Sequence, residues 1–318
     1  MSADANPFES PVTTAPDASI QLELVRPRIW TVFVAYVAAI VAIVGFQVVV
    51  GIVYFAVHMV GKPAAGPADV DKLVEQLTVE LTTPLAFILL GIPTQLIIGL
   101  AAIVPACLSP VPVRQRLGLV RPRLPWWGNL AVMLGTSLPF GIGVAAAYGL
   151  ATVIPPDPSV ERLYRAMTLP IAVPFVLFIA LAPGFMEELL FRGYMQRRLL
   201  ERWSAWPAIL VTSLLFAILH ITPHAIAVAL PVGIWFGVVA WRTGSVWPGI
   251  LGHAFVNGAW NVWQIGSVLT GREATLEAIA AAGIIAVVSF AASAWLLSRP
   301  PARANLADFL DYSAPIRR

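Results

Sequence analysis

Residues 203–241 read WSAWPAILVTSLLFAILHITPHAIAVALPVGIWFGVVAW, thirty-nine consecutive positions without an Asp, Glu, Lys or Arg. A helix crosses ~30 Å of hydrocarbon with ~20 such residues, so the stretch is long enough for two crossings. Thr222-Pro223-His224 divides it, because proline lacks a backbone donor and restricts the residue before it.

Six more charge-free windows flank it, at 29–61, 81–113, 124–156, 166–186, 243–271 and 278–298. Together they predict eight spans, near 30–57, 84–108, 126–153, 170–199, 206–221, 224–241, 245–268 and 277–298. Membrane barrels need short segments that alternate in polarity, whereas these windows are continuously apolar. The expected fold is therefore all-α, a polytopic membrane helix bundle. Composition agrees: mean hydropathy is +0.81, and charged residues make up 12% where a soluble domain carries roughly a quarter. Soluble enzymes, disordered regulators and nucleic-acid binders are excluded, and the lipid bilayer is the first expected partner. The single cysteine, Cys107, permits no intrachain disulfide and reads as a small buried hydrophobe.

Arginines set the expected orientation. With a cytoplasmic N-terminus, fifteen of the twenty basic residues fall on the inside and five on the outside, as the positive-inside rule asks. Both ends are then cytoplasmic. Residues 1–28 read as a flexible N-terminal tail and 299–318 as a cytoplasmic C-terminal tail. Val70, Leu73, Val74 and Leu77 recur at helical spacing and predict a short surface helix on the outer side.

Ionisable groups inside spans are costly, at least ~2.5–3.5 kcal/mol each near the centre, and here they cluster in the second half. The fourth span carries Glu187, Glu188 and Arg192, the fifth Phe216 and His220, the seventh His253 and Asn257. Glu188 and Arg192 are i, i+4 with the acid first, the favourable order for a pair, while Glu187 is rotated ~100° away. At ~1.5 Å per residue, Glu187 lies about 15 Å from Arg197, His253 about 12 Å from Ser245, and His220 about 21 Å from Trp206. The first two depths agree and the third is greater. Gly233 and Gly237 form a small-x-x-x-small face suited to a close helix contact.

Glu-Glu-x-x-x-Arg at 187–192, Phe-x-x-x-His at 216–220 and His-x-x-x-Asn at 253–257 resemble the motifs of the CAAX protease and bacteriocin-processing family of intramembrane proteases. That family includes the prenyl-protein endopeptidases. The resemblance runs over about 110–268, with 29–109 as two spans and an outer loop ahead of this protease core and 269–298 as a last span. It implies peptide-bond hydrolysis on a membrane-anchored protein or peptide, and a candidate catalytic set of Glu187, Glu188, His220, His253 and Asn257.

The inventory is compatible with that chemistry, which needs an activated water, a proton acceptor and oxyanion donors. Glu187 is the natural base, His220 can orient the water, His253 and Asn257 can donate to the oxyanion, and Glu188 with Arg192 forms a structural pair. Two routes stay open. Glu187, His220 and His253 offer the two-His, one-carboxylate ligand set of a catalytic zinc. The chain has no His-Glu-x-x-His helix, and its second histidine motif suits a metal-free glutamate mechanism equally. The competing functions are a secondary transporter, which also buries ionisable groups, and a non-catalytic scaffold or immunity protein on the same fold. Two lysines against eighteen arginines, with abundant alanine, suggest a GC-rich bacterial genome and hence the bacterial plasma membrane. Arg197, Arg198, Arg202 and Arg242 at the ends of the motif-bearing spans predict a polar cavity open to the cytoplasm and laterally to lipid.

Overall fold

The structure, a computed structural model, describes residues 28–60 and 66–299. The expected tails lie outside these residues, apart from Arg28 and Arg299 at their edges. Among the described residues there is no strand.

In chain order the helices are α1 (Trp30–Met59), α2 (Pro67–Leu81), α3 (Pro84–Cys107), α4 (Trp126–Gly135), α5 (Ser137–Leu150), α6 (Pro158–Arg165) and α7 (Leu169–Glu188). A π-helical segment, Leu189–Gln196, continues α7. After it come α8 (Ala205–Ile218), α9 (Pro223–Thr243), α10 (Trp247–Thr270) and α11 (Leu276–Ser298). Each expected span has a helix. Six of them, counting α4 with α5 and α7 through Leu200 as one each, are long and apolar enough to cross a bilayer. At ~1.5 Å per residue the fourteen-residue α8 reaches only about 21 Å, and α10 is long but interrupted by His253, Asn257, Asn261 and Gln264. The surface helix expected around 70–77 is part of α2.

Local chemistry marks the ends. Thr83, Thr222 and Thr275 accept from the backbone N–H groups of Ala86, Ala225 and Ala278, and each precedes an apolar run. Gly244 and Gly271 close α9 and α10 with φ of 69° and 64°, where a Cβ is penalised. The third span bends at Thr136, whose hydroxyl donates to Val132 O and accepts from Trp235 Nε1 at 3.2 Å.

The π segment is the hub. All eight of its residues are buried, and Leu189, Leu190, Phe191 and Met195 pack with Ile98 and Ala102 of α3, Phe216 of α8 and Val32 of α1. Around it α7 lies on α10 and α3, and α9 lies on α5 and α8. Side chains on the outer faces, such as Val41, Ile52, Ile284 and Val288, are exposed and apolar, which suits lipid. Cys107 is also exposed, correcting the expectation of a buried thiol: the protein-facing positions at that end of α3 are Ala102 and Ala106.

The basic loops gather at one end. Val246 N–H donates to Gly118 O, Ser245 Oγ–H to Val120 O, and Arg197 Nη1 to Gly244 O at 3.0 Å. Arg242 donates to the carbonyls of Leu297 and Arg299 there, and Arg116 pairs with Glu201.

Candidate active site

Glu187 and Glu188 are the last two residues of α7, where the helix widens into the π segment. Segments with i→i+5 bonding are uncommon and concentrate at functional sites. Here the wide turn runs against the 110–120 loop. A Cβ on Gly193 would stand 2.7 Å from Leu117 O, a backbone atom that cannot swing away. Gly193→Ala is therefore expected to cost about 1–3 kcal/mol by forcing that backbone apart. A melting temperature in detergent equal to the parent's would contradict the close approach.

The pair expected at i, i+4 is formed. Arg192 Nη1 donates to Glu188 Oε1 at 2.9 Å, and both side chains are fully buried. Arg192 Nη2 donates to Gly233 O at 2.9 Å, and its guanidinium sits 4.5 Å from the Phe216 ring centroid and 5.5 Å from that of Phe236. One turn on, Gln196 Nε2 donates to Gly237 O at 2.8 Å. The glycine face of α9 is thus a close contact that also presents acceptors to two buried side chains.

Glu188 has a second partner. Its Oε1 lies 3.2 Å from His253 Nδ1, so a carboxylate oxygen orients the imidazole from behind. The opposite nitrogen, Nε2, faces Glu187 Oε2 at 3.9 Å. Glu187 Oε1 accepts from Gln95 Nε2 of α3 at 3.0 Å, while its Oε2 is buried without a protein partner. Gln95 was not anticipated. Its signal was a lone amide amid apolar residues, a group that needs a partner when buried.

His220 stands apart. It lies past the C-terminal end of α8, its Nδ1 is 3.0 Å from Phe216 O, and its ring meets Phe216 edge-on at 5.0 Å. Phe216 in turn meets His253 at 5.9 Å, so the two imidazoles flank one phenyl ring. The zinc ligand set of Glu187, His220 and His253 is not assembled, since among the described residues no three His, Cys, Asp or Glu side chains are grouped to hold a metal ion.

Asn257 donates from Nδ2 to Ile179 O at 3.1 Å, tying α10 to α7. Below it Asn261 Nδ2 donates to Asn257 O at 2.8 Å, and Tyr164 OH donates to Asn261 Oδ1 at 2.9 Å. Burial pushes the Tyr164 phenol up to about 12, so it stays a donor throughout the physiological range. This brace from α6 was invisible in the sequence, because its links are amides and backbone carbonyls rather than charges.

A cavity of about 380 Å³ opens at the basic end, with Arg116, Arg197, Glu201 and Ser245 in its walls. It reaches Arg192 and Gln196, and Glu187 is not among its walls.

Residues 169–259, which carry all three motifs, match the family model described as type II CAAX prenyl endopeptidase Rce1-like. The match bears out the resemblance to the CAAX protease and bacteriocin-processing family, over a stretch narrower than 110–268 and under a third of the chain. No curated protein and no solved structure matches the chain.

Proposed function

We propose that the chain is an intramembrane endopeptidase that hydrolyses a peptide bond in a membrane-anchored protein or peptide, using a water held between Glu187 and His253. The observation that carries this reading is the buried, unpartnered Oε2 of Glu187, 3.9 Å from His253 Nε2. That separation is too long for a direct hydrogen bond and suits one water bonded to both groups.

Charge supplies the second argument. Two buried carboxylates face one buried guanidinium, and it is Glu188 that pairs with it, which leaves Glu187 for the chemistry. Hydrolysis moves a proton off the attacking water and on to the amine that departs as the C–N bond breaks. Glu187 accepts it through Oε2 while Gln95 holds the other oxygen, and the water oxygen bonds to the scissile carbonyl carbon. His253, oriented by Glu188, donates from Nε2 to the developing oxyanion together with the second Nδ2 hydrogen of Asn257. With Nδ1 bonded to Phe216 O, His220 has Nε2 left to offer. It therefore relays a proton rather than stabilising an oxyanion. No step runs through a metal.

The decisive test is cleavage of membrane-tethered peptides by the purified protein in liposomes, with products read by mass spectrometry. Cleavage that persists in chelator is the expected result. Cleavage lost in chelator and restored by zinc would overturn the metal-free route, and no cleavage of any tethered peptide would point to a non-catalytic scaffold.

The same reading takes the chain to the bacterial plasma membrane with eight spans and both ends cytoplasmic. The gathering of Arg116, Arg197, Arg198 and Arg242 at one end supports it. Tags at either terminus should be reached by a protease from the cytoplasmic side, and a tag inserted beside Lys62 only from the opposite side. Termini on opposite faces would rule out an even number of spans.

A further inference from the structure

A second cavity has none of the motif residues in its walls. It is a groove of about 1320 Å³ between α1 and α3, with an apolar body and a charged mouth. The α1 wall is kept low by Ala35, Ala38, Ala39 and Ala42, which recur at i, i+3, i+4 and i+7. Across it stand Leu100 and Val104 of α3.

Its polarity runs one way. Arg28, Arg116, Arg198 and Glu201 all lie at one end. Glu201 is shared, taking Arg198 Nη1 on Oε2 at 2.7 Å and Arg116 on Oε1. Arg28 has no ion pair among the described residues. Three guanidiniums against one carboxylate leave an unmatched positive charge at the mouth of an apolar slot.

Its depth fits one leaflet. From Trp30 to Ala42 and from Ile97 to Leu108 the two walls run about 18 Å and about 16 Å at the helical rise of ~1.5 Å per residue. Half of the ~30 Å hydrocarbon core is about 15 Å. An occupant anionic at one end, with an apolar chain that stops near mid-bilayer, satisfies both observations. We propose that this groove binds one anionic phospholipid from the leaflet on the basic side, its phosphate between Arg28 and the Arg116–Glu201–Arg198 cluster and an acyl chain along the alanine face. Basic pockets between membrane helices recognise anionic headgroups in this way.

Ala35 and Ala39, two of the four buried residues of α1, line the groove, while Val32 and Tyr36 pack on the core and Tyr36 OH donates to Leu215 O at 2.9 Å.

Full-length protein in nanodiscs, labelled with a phosphatidylglycerol carrying a photoreactive acyl chain, tests the proposal, with the phosphatidylcholine analogue as comparison. Cross-links are expected within 30–42 and 97–108, and more strongly for phosphatidylglycerol. Arg28→Gln should lower phosphatidylglycerol labelling about fivefold, the loss expected for one basic residue at an anionic headgroup, and leave phosphatidylcholine labelling unchanged. Ala38→Phe with Ala42→Phe should abolish both. Because Arg28 is exposed at the end of α1, its variant keeps the test valid should the filled groove fail to fold. Equal labelling by the two lipids, cross-links confined to other helices, or a preference untouched by Arg28→Gln would overturn the proposal. So would a cross-link showing that residues 1–27 fill the groove in place of lipid.

Discussion

Glu187→Gln is expected to yield a folded, inserted protein whose turnover falls by about 10²–10⁴-fold, the usual worth of a positioned general base. The amide keeps the volume of the carboxyl and can still accept from Gln95, so the contact at 3.0 Å survives. What is lost is the acceptor at Oε2 that faces His253. The substitution leaves the Glu188–Arg192 pair intact, so thermal stability in detergent should stay close to the parent's. Turnover near that of the parent would take Glu187 out of the reaction.

Glu188→Gln should behave in the opposite way, although the residue is adjacent and the chemistry of the change identical. Arg192 is fully buried, and Glu188 is the carboxylate it pairs with. Leaving a buried charge without its counter-ion costs about 3–5 kcal/mol. Activity should fall too, because Glu188 Oε1 also orients His253 Nδ1. The double variant Glu188→Gln with Arg192→Met separates the two effects, since replacing a whole buried pair by apolar groups is often neutral. Stability should return while activity does not. Equal melting temperatures for Glu187→Gln and Glu188→Gln would contradict these separate roles.

The sequence disclosed what depends on local spacing. Charge-free windows located the helices because charge is the costliest thing to place in lipid, and Glu188 with Arg192 was readable because four residues is one helical turn. Features set by long-range packing were not readable. The run Leu189–Gln196 reads the same as α or as π, and the wider turn is visible only where it meets Leu117 and α3. Gln95 went unread because it is uncharged and about ninety residues from its partner. The contact of the His220 ring with Phe216 O was not readable either, because it depends on where α8 ends, at Ile218.

The cage around Arg192 bears on how the protein is made. Apart from Phe191, its aromatic faces and its carbonyl acceptor come from Phe216, Gly233 and Phe236, all downstream in the chain, and the imidazole that shares its counter-ion is later still, at His253. A ribosome delivers the guanidinium to the membrane before any of these exist. Glu188, already synthesised and one turn away, is the partner available at that moment. The acid thus acts as an escort during insertion, and the later helices assemble around a charge already neutralised.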